Sequence, residues 1–240
     1  MEEIIKKKRF LFASKPLITR IIIMTILTIL SIAFFGVILF LSAWTINWLK
    51  AWLFLIVFGS ISLITALIGV IKNPQMIDNR LKKHPKNKKW DTIVVSILGL
   101  NTFILFVAAG LDKRFSLLIQ IPNLVSYIAL PMTSIYIIIQ LWAGLTNKYF
   151  SSHVRIEEEQ KVIQTGPYKI VRHLFYSTFI LFWIFTPLSL GSYLSVIPGL
   201  FGIILVVYRT FKEDKFLQEN LPGYKEYSNN VKYRLFPGIW

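Results

Sequence analysis

Five long apolar regions dominate this chain of 240 residues and decide what it can fold into. The first four are 21–41, 52–71, 92–111 and 124–145, each about 20 residues long. An α-helix of that length, rising about 1.5 Å per residue, crosses a hydrocarbon layer of roughly 30 Å. Because hydrophobic residues also make up 55% of the chain, the sequence predicts an all-α integral membrane protein rather than a soluble domain.

The fifth apolar region, 174–208, is about 35 residues long and is interrupted near its middle by Pro187, Gly191 and Ser192. We therefore expect two short crossings joined by a tight turn, each about 16 residues long and below the usual length. A polar, helix-like stretch follows at 209–220 and ends at the stop signal Leu221–Gly223. The sequence thus predicts about six transmembrane helices with a cytoplasmic C-terminal helical segment.

The net charge of +15 is unevenly distributed along the chain. Basic residues are concentrated in the first 20 positions, at 72–89, at 148–172 and from 209 to the end, whereas the other loops contain few basic residues. The positive-inside rule then puts both termini and the long loops in the cytoplasm, as expected for six crossings of an inner (cytoplasmic) membrane. Short basic blocks between apolar runs fit attraction to membrane lipids, and we expect no nucleic-acid partner.

Two polar clusters flank the fifth apolar region and form the candidate functional site. The first, Thr165–Tyr176, combines a Gly-Pro turn with Arg172 and His173, and the second begins at Arg209 and contains Glu213. A hairpin would bring both clusters to one membrane face. The alternative for the first cluster is a basic loop whose side chains reach out to the lipid headgroups.

Two interpretations of Arg209 and Glu213 remain open, because residues four apart share one helical face. They could form a surface ion pair worth about 0.2–0.5 kcal/mol. Alternatively, both could point into a common pocket. There the carboxylate would suit a ligand cation or a ribose hydroxyl pair, and the guanidinium would suit a substrate carboxylate.

The residue inventory excludes several kinds of chemistry. Without cysteine, the chain has no disulfide, no thiolate nucleophile and no cysteine-ligated metal. The three histidines, His84, His153 and His173, are far apart and lack the spacing of metal ligands, so we expect no metal site.

The motif Thr165-Gly166-Pro167-Tyr168-x-x-Val171-Arg172-His173-x-x-Tyr176 resembles the GPYxxVRHPxY signature of the isoprenylcysteine carboxyl methyltransferase family. Downstream, Arg209-Thr210-x-x-Glu213-Asp214 and Leu221-Pro222-Gly223-Tyr224-x-x-Tyr227 look like further segments of that family. The resemblance is specific over about 150–240 and extends more weakly upstream, for example through 88–91. Members are integral membrane enzymes that use S-adenosylmethionine and are related in their C-terminal half to phospholipid N-methyltransferases.

This resemblance implies the role of individual residues. Arg209 matches the position that faces the methyl acceptor, and it is the expected catalytic residue. The expected cofactor contacts are Lys161, Val162 and Ile163 in a strand-like approach, together with Tyr168, His173, Leu174, Phe175, Tyr176 and Glu213. The sequence departs from the family at Leu174, where the family has proline, and at Asp214, where it usually has a second glutamate. The chain would then divide into a four-span membrane scaffold, 1–146, and a cofactor-binding region with a helical hairpin and cytoplasmic tail, 147–240.

The expected function is therefore S-adenosylmethionine-dependent methyl transfer to a lipophilic small molecule or lipid, of which a carboxylate is one candidate. Three alternatives stay open at this point. They are a phospholipid N-methyltransferase, an NADPH-dependent membrane reductase, and a non-catalytic membrane assembly or transport protein. Neither the acceptor nor the oligomeric state follows from the sequence.

Overall fold

The computed structural model describes residues 12–74, 77, 88–116, 119, 121–147, 149, 151–157 and 159–240. In this part of the chain the regular structure is helical, with seven α-helices and no strand. The helices are α1 (Leu17–Ala43), α2 (Leu49–Lys72), α3 (Lys89–Phe115), α4 (Asn123–Thr146), α5 (Leu174–Leu190), α6 (Val196–Asn220) and α7 (Tyr224–Asn230). Short 3₁₀ turns lie at Phe12–Ser14 and Gly166–Lys169.

Helices α1 to α4 confirm the first four apolar regions and extend each of them by a few residues. They contain 27, 24, 27 and 24 residues and are long and apolar enough to cross a membrane. Large apolar side chains cover their outer surface, among them Ile22, Leu30 and Phe34 of α1, each more than half exposed. Such a surface is suited to lipid rather than to water.

Six helices pack into a closed ring, in the order α1, α2, α4, α5, α6, α3 and back to α1. The ring mixes the two parts of the chain, since α4 contacts α5 and α3 contacts α6. Its apolar core includes Leu39, Phe54, Phe106 and Trp183, all at most 2% exposed. Helix α5, with 17 residues, and helix α6, with 25, are thus built into the same bundle as α1 to α4.

The fifth apolar region forms the expected hairpin, with its turn between α5 and α6. Gly191 ends α5 in the left-handed conformation, at φ 76°. Pro187 lies inside α5, so the chain reverses at the glycine and not at the proline. Gly202 of α6 lets the two helices approach closely, because a Cβ there would lie 2.3 Å from the ring of Trp183.

Asp112, near the end of α3, fastens the turn of the hairpin to the rest of the bundle. Its side chain is 1% exposed, and its Oδ2 accepts hydrogen bonds from the Ser192 hydroxyl at 2.7 Å and the Leu194 N–H at 3.3 Å. Within the bundle, the Asn101 amide of α3 donates to the Pro198 carbonyl of α6 at 2.8 Å. Buried polar contacts of this kind fix the hairpin against α3.

At the opposite end, α6 continues without interruption from its apolar half into the polar stretch that begins at Arg209. After α7, the chain returns to the start of α5. The N–H of Arg172 donates to the Tyr233 carbonyl at 3.0 Å, and the N–H of His173 donates to the Arg234 carbonyl at 2.9 Å. The tail thereby holds the first polar cluster in place.

Much of the charge that predicts orientation falls on the N-terminal block Lys6–Arg9 and on most of the 72–89 loop, which lie outside the described residues. The membrane orientation and the cytoplasmic location of the C-terminal segment therefore stay predictions. The count of six crossings also stays one, because only α1 to α4 have the length and apolarity of membrane spans among the described helices.

Candidate functional site

A cavity of about 370 Å³ lies where the polar half of α6 meets the start of α5. Its walls come from α3, from the segment 147–163, from α5 and α6, and from Tyr224 and Tyr227 of α7. Of the residues that the sequence assigned to a site, the cavity is lined by Lys161, Val162, Ile163, Tyr168, His173, Phe175, Tyr176, Arg209 and Glu213. The hairpin thus brings the two polar clusters together, as the sequence predicted.

Leu174 is the one assigned residue that is not among those lining the cavity. It is the first residue of α5, a position at which a proline would sacrifice no helical hydrogen bond. Leucine there leaves the helix start intact. The segment 161–163 forms no strand, contrary to the strand-like approach that we expected, and has no regular secondary structure.

Tyr168 is held in place through both its side chain and its backbone. Gly166 adopts a left-handed φ of 56° and opens the 3₁₀ turn that contains Tyr168. The Tyr168 hydroxyl donates to the Ala143 carbonyl at 3.2 Å, while its own carbonyl accepts from the Tyr227 hydroxyl at 2.6 Å. Burial raises the pKa of Tyr168 to about 12, so it stays a neutral donor at neutral pH.

Asp214 forms the centre of a buried ionic cluster beneath the cavity. Its carboxylate is 1% exposed and is not among the residues that line the cavity. The Tyr224 hydroxyl donates to Oδ1 at 3.0 Å, and Arg234 Nε donates to Oδ2 at 2.9 Å. The other side chains in hydrogen-bond contact with the carboxylate are Arg172, His173 and Gln218.

Arg172 binds this carboxylate through two nitrogens of different geometry. Its Nη2 donates to Oδ2 at 3.2 Å, whereas Nε lies 3.0 Å from Oδ1 as an ion pair without hydrogen-bond alignment. Burial alone would raise the pKa of Asp214, but its bonds to His173, Arg234 and Arg172 outweigh burial and hold that pKa below the usual value. The aspartate in place of the family's second glutamate is therefore a structural anchor.

Glu213 faces the cavity and is half-buried. The Tyr176 hydroxyl donates a hydrogen bond to its Oε2. No group among the described residues donates to Oε1. The ring of Tyr176 also stacks on His173, with centroids 5.8 Å apart. The cavity therefore presents one carboxylate oxygen that is held in place and still available to a ligand.

Arg209 is 6% exposed and is not part of a surface ion pair with Glu213. Its Nε donates to Asp91 Oδ1 at 2.7 Å, and its Nη2 donates to Asp91 Oδ2 at 3.2 Å and to the Ser152 carbonyl at 2.8 Å. The guanidinium also lies 5.0 Å from the ring centre of Tyr176. Within the described chain, nothing accepts from Nη1.

Asp91 is the residue that the sequence analysis missed as part of the site. It is fully buried in the first turn of α3 and also accepts from the Val154 N–H at 2.8 Å, with His153 Nδ1 at 3.2 Å. Its segment, 88–91, was noted for resemblance alone, and a contact with a residue 118 positions away leaves no local pattern.

The described residues contain no group of three or more His, Asp or Glu side chains that could hold a metal ion. His153 and His173 each contact a buried aspartate, Asp91 and Asp214 respectively. His84 lies outside the part of the chain that the structure describes.

The fold and the site together define a helical membrane protein with a ligand-sized cavity, lined by both charged and apolar side chains, at one end of its bundle. Comparison with known families gives the class. Residues 122–219 match the sequence model of the isoprenylcysteine carboxyl methyltransferase (ICMT) family, which confirms the resemblance over that stretch. The match covers α4, α5 and most of α6. The family is one of membrane methyltransferases. No curated protein matches the chain.

Proposed function

We propose that this chain is a membrane-embedded methyltransferase that uses S-adenosylmethionine and methylates a lipophilic carboxylate. The observation that carries the proposal is that Glu213 and Arg209 line the same cavity. They are neighbours on one face of α6, and each retains one polar atom, Oε1 and Nη1, with no partner in the described chain. A carboxylate and a guanidinium side by side can hold a cationic donor and an anionic acceptor.

The cavity residues fit the cofactor that the family uses. Lys161 and Glu213 are the charged lining side chains without an ion-pair partner in the described chain, and they have opposite signs. They match the carboxylate and the ammonium of the amino-acid part of S-adenosylmethionine. Tyr168, Phe175 and Tyr176 supply aromatic faces for the sulfonium and the adenine. A volume of about 370 Å³ lies within the range of ligand pockets.

A second cavity supports a lipophilic acceptor. It measures about 400 Å³, lies among α1 to α5, and is lined mostly by apolar side chains such as Phe58 and Phe182. Thr102 and Phe179 line both cavities, so the two adjoin inside the bundle. An acceptor could place its carboxylate at Arg209 and its apolar part in this second cavity.

The proposed reaction requires little acid–base catalysis from the protein. When bound, S-adenosylmethionine supplies a methyl group already activated by its sulfonium. A carboxylate acceptor is ionised at pH 7, so no general base has to remove a proton. Arg209 would orient the carboxylate and replace the water that it loses on entering the cavity, and Glu213 with Tyr176 would hold the donor in line.

We further propose that α5 and α6 complete six crossings and that the cavity opens to the cytoplasm, with 1–146 as scaffold and 147–240 as cofactor-binding region. Because the chain has no cysteine, single cysteines near Lys161 and Lys215 can be labelled selectively from either side of the membrane. Labelling of both from the cytoplasmic side is expected. Labelling from opposite sides would contradict a common cavity at one membrane face.

The test of the proposed function is calorimetric binding of S-adenosylmethionine to the detergent-purified protein, with NADPH as comparison ligand. We expect saturable S-adenosylmethionine binding that is lost in Glu213→Ala and unchanged in Glu219→Gln, an exposed glutamate on the same helix. Binding of NADPH instead would favour a reductase. If the folded protein binds neither ligand, the enzyme interpretation is wrong and an assembly or transport role remains.

A further inference from the structure

We propose that Asp91 is a positioning residue that sets the direction in which Arg209 presents its guanidinium to the acceptor. The inference rests on the proposed function, because it concerns the acceptor end of the same cavity. Asp91 belongs to α3, in the part of the chain outside the family match, and is absent from the cavity lining. It would therefore act on the reaction through the lining residues that it binds, of which Arg209 carries the guanidinium for the acceptor.

The geometry of the pair selects one edge of the guanidinium. Asp91 binds Nε at 2.7 Å and Nη2 at 3.2 Å, one oxygen to each nitrogen, so it occupies the side edge of the fork. The Ser152 carbonyl takes a further hydrogen of Nη2 at 2.8 Å. None of the described groups accepts a hydrogen bond from Nη1, so this nitrogen can donate its hydrogens to a ligand. A planar fork clamped at two points cannot rotate without breaking both bonds.

The carboxylate of Asp91 is itself held in place. It is fully buried, and besides Arg209 it is bound by the Val154 N–H at 2.8 Å and by His153 Nδ1 at 3.2 Å. The Val154 carbonyl accepts in turn from the Lys88 N–H at 3.3 Å. Loop and helix thus fix the aspartate, the aspartate fixes the arginine, and the arginine reaches the cavity.

A structural role alone predicts something different. If Asp91 only stabilised the fold, its loss would lower stability and would weaken every ligand to a similar degree. A positioning role predicts a selective loss, confined to ligands that carry a carboxylate. The chain offers a matched control in Asp112, a second buried aspartate on α3, which lies at the far end of the bundle and contacts the hairpin turn.

The experiment measures how much more tightly the detergent-purified protein binds an acid than the corresponding ester. The probe is a fluorescent polyunsaturated C18 fatty acid, titrated in parallel with its methyl ester, and the result is the ratio of the two affinities. Five proteins are compared: wild type, Asp91→Asn, Asp91→Glu, Arg209→Lys and Asp112→Asn. Thermal stability and S-adenosylmethionine affinity are measured on each of them.

We expect the wild type to prefer the acid, and both Asp91→Asn and Arg209→Lys to lose at least about tenfold of that preference. Asp112→Asn should lower stability while leaving the ratio unchanged, and Asp91→Glu should restore part of the preference. A ratio that Arg209→Lys lowers but Asp91→Asn does not would overturn the positioning role. A wild type without preference for the acid would overturn it as well, whereas absence of S-adenosylmethionine binding would instead refute the proposed function.

Discussion

Substitution of Asp214 by asparagine tests the ionic cluster beneath the cavity. The change keeps the size of the side chain and removes its charge. It leaves Arg172 buried without its counter-ion, since the two side chains are 5% and 1% exposed. Breaking a buried ion pair costs about 3–5 kcal/mol. Because Nη1 of Arg172 keeps the carbonyls of Ser228 and Val231, we expect the lower part of that range, about 3–4 kcal/mol.

For a chain of this length, each kcal/mol shifts the melting temperature by about 2–4 °C, so Asp214→Asn should melt about 6–16 °C below the wild type. Tyrosine and tryptophan fluorescence on heating in detergent measures this shift. Glu219→Gln is the control, because its pair with Lys215, at 3.9 Å, is exposed on both sides and is worth at most about 1 kcal/mol. Equal melting temperatures for the two variants would refute the role given to Asp214.

The pH dependence of the same pair of proteins gives a second readout. Since folding lowers the pKa of Asp214, its contribution to stability is complete above the unfolded pKa of about 3.9 and is lost as the pH falls below it. The difference in melting temperature between wild type and Asp214→Asn should therefore be constant from pH 7 to 5 and shrink towards pH 3. A difference that grows on acidification would contradict the assigned direction of the shift.

Three further predictions concern the cavity and the hairpin. Tyr176→Phe removes the hydrogen bond to Glu213 and should weaken S-adenosylmethionine binding roughly tenfold, as measured by calorimetry. Unchanged affinity would contradict the role of Glu213, as held by Tyr176, in binding the cofactor. Gly202→Ala puts a Cβ 2.3 Å from Trp183 and should destabilise the fold by about 1–3 kcal/mol in thermal melts. Gly99→Ala, also within a helix but with nothing within 4 Å of its Cβ, should be neutral or stabilising by up to about 1 kcal/mol, and equal losses would contradict close packing as the cause.

The helices and the hairpin could be predicted from local signals, whereas the ionic contacts could not. Uninterrupted apolar runs mark α1 to α4, and the glycine at 191 in the middle of the fifth region marks its turn. The expected site residues share a cavity because the hairpin returns Glu213 to the level of His173. The choice of partners depends on the packing of the whole ring, which no local pattern encodes.

Two aspartates illustrate the limit. Asp91 contacts Arg209 across 118 positions, so its role emerges only when α3 lies against α6. Asp214 stood out in the sequence only as a departure from the family's second glutamate; the structure places it under the cavity, where its carboxylate reaches Arg172 and Arg234. In neither case did the sequence indicate the partner.

Methyl transfer itself tests the central claim most directly. The purified protein is incubated with S-adenosylmethionine carrying a tritiated methyl group and with a lipid extract of the membranes in which it is expressed. The extracted lipids are then treated with base. We predict label in the lipid fraction that base releases as volatile methanol, as a carboxyl methyl ester requires, and no transfer by Glu213→Ala. Base-stable label would contradict a carboxylate acceptor and indicate N-methylation, and absence of label from a protein that binds the cofactor would contradict transfer to a membrane lipid.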